Sequence, residues 1–200
     1  MPPPLPSSEH IADSSVFRAA LRRERLALRL ALDEKTHARL SVPIESGLEA
    51  LLAPLPPQSL AFCAPVRGEF DARPLASRLI ERGWHAAMPV VTAVDAPMHF
   101  HAWTPASVMG TDRYGIPIPA DGAVVIPDIV LLPLLAFDAQ GFRLGYGGGF
   151  FDRTLAAMVP RPRAIGVGFG LGRVADIRPQ AHDVRLDAIV TEAGVLRPES

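Results

Sequence analysis

Between Val16 and Leu32, apolar and basic positions recur at helical spacing. Val16, Ala20, Leu21, Leu28 and Ala31 make an approximate apolar stripe, and Arg18, Arg22, Arg25 and Arg29 run along another face. The spacing predicts a helix from about Ser14 to about Leu32, with Asp13, Ser14 or Ser15 as its cap. The arginine row has two readings: a solvated polar face, or an anion clamp, because guanidinium offers phosphate a rigid fork of donors. A second helix is expected from about Lys35 to Leu52, ending before the Pro-rich linker APLPPQ.

Beyond the linker the pattern changes to short apolar runs separated by helical or turn segments, the rhythm of an α/β sheet. Strands are expected near residues 60–64, 87–91, 98–103, 130–135, 164–169 and 188–191. PLASRLIERG reads as a crossover helix stopping at Gly83. The Pro- and Gly-rich stretch 104–127 reads as an ordered surface excursion. The fold class expected is a single three-layer α/β/α sandwich around a mostly parallel sheet, of open Rossmann-like topology, with its cleft at the carboxyl ends of the strands. One domain over 14–194 lies between a disordered Pro/Ser-rich tail (1–13) and a C-terminal tail (195–200).

Composition narrows the partners. The 200 residues carry a formal net charge of -1, so no global field favours nucleic acid or an anionic membrane, and an anionic ligand must be met by local charge. Of the twenty Lys and Arg residues only Lys35 is lysine, leaving nineteen arginines and little room for lysine chemistry. Cys63, the one cysteine, cannot form an internal disulfide and reads as a small core residue. No apolar run approaches the ~20 residues that span a bilayer. The N-terminus has no signal-peptide pattern. A soluble, cytoplasmic monomer is expected. His99 and His101 share a strand face, and without further ligands nearby they read as a surface pair rather than a metal site.

The segment RLGYGGGFFDR, Arg143 to Arg153, holds four glycines within 145–149 and runs into a helix near Phe150. Such glycines permit positive φ and close approach of a ligand, and the helix start presents free N–H groups, so the layout suits phosphate. A tight structural turn is the plain alternative. A Walker A loop needs a lysine after its last glycine, and none is present. The dinucleotide fingerprint fails at its third glycine, where Phe150 stands, and GVGFGLG from Gly166 also misses the spacing.

The stretch LLPLLAFDAQGFRLGYGGGFFDRTL resembles the signature of the 5-formyltetrahydrofolate cyclo-ligase family, also called 5,10-methenyltetrahydrofolate synthetases. FRAALRRERLAL, APVRGEFDARPL, MPVVTAVDAPMHFHAW, YGIPIP and AHDVRLDAIVTE follow in family order, so the resemblance spans about Phe17 to Glu192. It implies that ATP and 5-formyltetrahydrofolate, with or without a polyglutamate tail, give 5,10-methenyltetrahydrofolate, ADP and phosphate, with Mg²⁺ as cofactor. The formyl oxygen is phosphorylated and N10 then attacks the activated carbon, chemistry that asks for positioning and charge neutralisation. A folate-binding protein of the same fold with weakened catalysis is the alternative.

The resemblance also implies roles. Arg18, Arg22, Arg143, Leu144, Gly145, Tyr146, Gly147, Gly148, Gly149 and Phe150 would hold ATP, with Arg143 stabilising the transferring phosphoryl group. Asp152 and Asp183 would hold Mg²⁺ through hard carboxylate oxygens. Glu69 would take the donor-rich edge of the pterin, with Phe151 beside it, and Asp71 would cap a helix. Arg25 and Arg29 are expected to be solvated. Phe100 and Trp103 are open between a pterin wall and the core. Phe151 stands where the family usually has Tyr, and Ile118 where it has an acidic residue.

Overall fold

The computed structural model describes residues 8–199. Helices α1 (Ser8–Leu30) and α2 (Glu34–Leu52) come first, followed by β1 (Ser59–Ala61), α3 (Arg73–Glu81), β2 (His85–Val90) and β3 (His99–Trp103). The excursion holds a hairpin of β4 (Met109–Thr111) and β5 (Pro117–Pro119). After it come β6 (Ile129–Pro133), a small ladder of β7 (Ala136–Phe137) and β8 (Arg143–Leu144), α4 (Phe150–Ala157), β9 (Arg163–Val167), β10 (Ala188–Thr191) and β11 (Gly194–Leu196).

A seven-stranded sheet has the order β11-β10-β9-β6-β1-β2-β3. Its centre is parallel from β10 to β2, and the edge strands β11 and β3 pair antiparallel. Strand alternation divides the core. Ile129 and Leu131 of β6 pack with Ile44 and Leu48 of α2 and Leu75 and Leu79 of α3. Val130 and Leu132, on the other face, pack with Leu155 of α4. This is the expected three-layer α/β/α arrangement.

Local sequence accounts for the helices. Asp33 caps α2 by accepting from the Thr36 N–H at 2.7 Å. Asp71, expected as a cap, accepts from the Arg73 N–H at 3.0 Å, but the cap position of α3 is Ala72. Phe100 and Trp103 are buried in the two layers of the core. His99 and His101 lie on the edge strand β3 as expected, and no group of three or more metal-capable side chains occurs among the described residues. No described helix is long and apolar enough to cross a membrane.

Three expectations about the ends of the chain need correction. The first helix begins at Ser8, so Asp13, Ser14 and Ser15 lie inside it and the tail expected over 1–13 is helical from Ser8; residues 1–7 lie outside the described residues. At the other end, β11 pairs with β10 where a tail was expected from 195. The largest difference is the orientation of α1. Val16 is 72% exposed and Leu28 and Leu30 are also exposed, whereas Arg18 and Arg29 are buried and Arg25 is half-buried. The helix crosses the carboxyl ends of the strands, where loops present carbonyls: Arg25 donates to Leu171 O at 2.8 Å and Arg29 to Arg67 O at 2.9 Å. Arg25 and Arg29 are therefore not a solvated face.

The glycines of GVGFGLG serve packing. A Cβ on Gly166 would lie 2.5 Å from Leu134 Cδ2 and 2.6 Å from Leu186 Cδ1. Gly166→Ala should overfill the core, costing about 1–3 kcal/mol in urea unfolding. A stability equal to the parent's would contradict this account.

Candidate active site

The loops that follow β1, β2 and β6, together with α1 and the start of α4, enclose a cleft of about 760 Å³. Its floor includes Cys63 and Ala64 after β1, Met88 and Pro89 at the end of β2, and Pro133 at the end of β6. This is the carboxyl side of the parallel strands, where ligands of open α/β sheets bind.

One wall is basic. Arg18 reaches Asp183 with both terminal nitrogens, one of them donating to Oδ1 at 2.9 Å, and also donates to Arg178 O at 3.2 Å. Burial alone would raise Asp183; the Arg18 hydrogen bonds and the Gln180 N–H outweigh it and hold the carboxyl below its ordinary range. Arg143 donates to Asp152 Oδ1 at 3.0 Å, an oxygen that also accepts from the Val184 N–H at 3.0 Å. That bond ties the loop before β10 to the glycine segment. Arg22 has no carboxylate. Its Nε donates to Gly145 O at 3.0 Å, while burial and then the Arg18 charge lower its pKa, and its terminal nitrogens carry no hydrogen bond among the described residues. Such a guanidinium fits an anion.

The glycine segment forms the rim. Gly147 and Gly149 have φ of +96° and +64°, and a Cβ on Gly149 would sit 2.7 Å from Arg153 Nη1. Gly149 caps α4 without a side-chain bond, leaving the first turn of that helix open to a ligand. Arg153 braces the loop by donating to Gly148 O at 2.7 Å and Val94 O at 2.9 Å. Tyr114 of the excursion meets Phe150 edge-on at 5.8 Å, so the 104–127 segment covers one side of the cleft.

Across the cleft, Glu69 is buried with 7% exposure. Its Oε2 accepts from the Val66 N–H at 3.0 Å and its Oε1 from the Tyr146 hydroxyl at 2.8 Å, with Arg29 Nη2 3.8 Å away. Burial, opposed by these partners, raises the Glu69 pKa. Arg29 also donates to the Tyr146 hydroxyl and to Leu134 O. Burial pushes up the thiol of Cys63, a neighbour in the cleft wall, so it stays protonated.

A family model described as the 5-formyltetrahydrofolate cyclo-ligase family matches residues 14–192. The chain belongs to that family. It is 33% identical over 135 residues to the 5-formyltetrahydrofolate cyclo-ligase of Escherichia coli K12, covering 64% of this chain and 74% of the relative. With the cyclo-ligase of Mycolicibacterium smegmatis it shares 29% over 183 residues, covering 84% and 94%. Its fold is similar to the solved 5,10-methenyltetrahydrofolate synthetase of Aquifex aeolicus, with a TM-score of 0.79 and 28% identity over 92% of this chain and 94% of that one.

Within this cyclo-ligase fold, the cleft brings together Arg18, Arg22, Glu69, Arg143, Gly145 to Phe150, Phe151, Asp152 and Asp183. Leu144 does not join them: it is fully buried, packing with Leu21, Ala136 and Ile177. Phe100 and Trp103 lie outside the lining. So does Ile118, which pairs with Gly110 in the excursion hairpin. Cys63, Tyr114 and His182 line the cleft without having been singled out for it. Only His182 had a signal, its place next to Asp183. As for a cation, both Asp183 oxygens are occupied by Arg18, whereas Asp152 Oδ2 carries no hydrogen bond among the described residues.

Because the Asp183 carboxyl titrates lower in the folded protein, its contribution is present above its unfolded value near 3.8 and is lost as pH falls through the folded one. Asp183→Asn should lose roughly 3–5 kcal/mol at pH 7, since it leaves Arg18 buried without a counter-charge. The gap to the parent should close on acidification below pH 4. Denaturation curves across that range check it, and a pH-independent gap would refute it.

Proposed function

We infer that this chain catalyses the ATP-dependent cyclisation of 5-formyltetrahydrofolate to 5,10-methenyltetrahydrofolate, releasing ADP and phosphate. The observation that carries the reading is the placement, in one cleft, of an anion-ready glycine loop with Arg22 and Arg143 opposite a buried carboxylate, Glu69. A two-substrate phosphoryl transfer needs both poles within reach of each other.

In this reading the formyl oxygen attacks the γ-phosphorus and ADP leaves. N10 then adds to the activated formyl carbon and loses its proton, the carbon–oxygen bond breaks, and phosphate departs from the closed ring. The loop N–H groups and Arg22 hold the phosphates, and Arg18 can join by exchanging Asp183 for an anion. Arg143, oriented by Asp152, faces the transferring group and stabilises charge that builds up there. Glu69 accepts from the pterin N–H donors. The Phe151 ring, 5.9 Å from the Arg143 guanidinium, offers an apolar wall without the hydroxyl usual at that position. Asp152, through its unbonded Oδ2, and Asp183, once Arg18 turns to phosphate, would hold Mg²⁺, which would supply charge neutralisation for the phosphates. A cytoplasmic monomer and acceptance of a polyglutamate tail belong to the same reading.

Purified protein with ATP, Mg²⁺ and 5-formyltetrahydrofolate should produce methenyltetrahydrofolate, followed by its absorbance. Binding of the folate without ADP release would favour a sequestering protein instead. Arg143→Ala should lower kcat about 10²–10³-fold, and Glu69→Ala should chiefly raise KM for the folate. Unchanged parameters in either variant would remove that assignment.

A further inference from the structure

Tyr146 stands out because it belongs to both poles of the cleft. Its backbone lies in the phosphate-directed loop, between Gly145, whose carbonyl accepts from Arg22, and Gly147 at φ +96°. Its hydroxyl, however, reaches the loop after β1 and helix α1, donating to Glu69 Oε1 at 2.8 Å and accepting from Arg29. The ring is held as well, with the Arg29 and Arg67 guanidiniums 5.8 and 5.2 Å from its centroid. A loop residue whose only role was to wrap phosphates would not need this reach.

We propose that Tyr146 is a positioning residue that couples the two substrates, so that folate bound at Glu69 strengthens the hold of the glycine loop on the nucleotide. This rests on the reading of the cleft given above. Each oxygen of Glu69 accepts one donor, Oε2 from the Val66 N–H and Oε1 from the Tyr146 hydroxyl, and each has room for a second, so a ligand donating to this carboxylate shares it with Tyr146. In the free protein this carboxylate is held by the Val66 N–H and the Tyr146 hydroxyl, with Arg29 Nη2 3.8 Å away. A pterin edge that donates to this carboxylate fixes it and excludes water around it, and the charge-assisted Tyr146 hydrogen bond strengthens in the drier site. The strengthened bond pins Tyr146 and, through the adjacent residues Gly145 and Gly147, the loop that holds the phosphates. Linkage makes the effect mutual: nucleotide must tighten folate binding by the same factor.

The test is a binding cycle on the full-length protein, with a non-hydrolysable ATP analogue plus Mg²⁺ as one ligand and 5-formyltetrahydrofolate as the other, measured by calorimetry. In the parent, each ligand should tighten the other about fivefold or more. Tyr146→Phe keeps the ring and its arginine contacts but lacks the hydroxyl. It should bind each ligand alone and show a coupling factor below about twofold. A parent factor of one or less, or a Tyr146→Phe factor equal to the parent's, overturns the proposal; the parent measurement decides even if the variant folds poorly. These outcomes are separate from failure of the functional reading, which would appear as a parent protein that does not bind the folate or form methenyltetrahydrofolate.

Discussion

Loop carbonyls that need donors at the carboxyl ends of the strands govern this structure. The loops leaving β1, β6, β8 and β9 turn there, and their C=O groups cannot all pair within the sheet. Helix α1 supplies the missing N–H groups: Arg29 to Arg67 O and Leu134 O, Arg22 to Gly145 O, and Arg25 to Leu171 O. Each guanidinium carries five donors in a fixed fork, so one helix face can tie several loops at once. The site is held by the same bonds, because those loops carry Glu69 and the glycine segment.

That solution explains which parts were legible in the sequence. Strands β1, β2, β6, β9 and β10 are apolar runs because both faces of the sheet are covered, and a run needs no knowledge of its partners to be seen. The second helix, expected from about Lys35 to Leu52, is α2 (Glu34–Leu52). For α1, the spacing set the four arginines on one face, but it grouped the buried Leu21 with the exposed Val16 and Leu28, and it could not say which face turns inward. An arginine row is an outer face on a helix packed against a sheet, and an inner face on one packed against carbonyls. The exposed Val16 and Leu28 show that the second environment prevailed.

Shorter features were lost for a related reason. β7 and β8 are two residues each, below the length at which alternation carries information, and so the Arg143–Leu144 pair was read as one functional unit. The structure separates it: Arg143 reaches the cleft, whereas Leu144 packs beneath it with Leu21 and Ile177. Tyr114 and Cys63 reach the cleft only through tertiary folding of the excursion and of the loop after β1. Glu69 and the glycine segment were legible because they lie in long matching motifs. Their link through the Tyr146 hydroxyl spans 77 positions and leaves no local trace.

The electrostatic design follows from the same burial. A cleft awaiting a polyanion with bare guanidiniums would leave charges buried without partners, at several kcal/mol for each ion. Here Arg18 rests on Asp183 and Arg143 on Asp152, so neither guanidinium is buried without a counter-charge, within a chain of net charge -1. An entering anion would therefore compete with a carboxylate at two of the three arginines. Arg22 is different: it spends only its Nε on the protein, and burial, then repulsion from Arg18, already disfavour its charge. Of the three, it is the guanidinium that costs least to hand to an anion. Its contact with Gly145 would also set that anion on the loop that Tyr146 ties to Glu69.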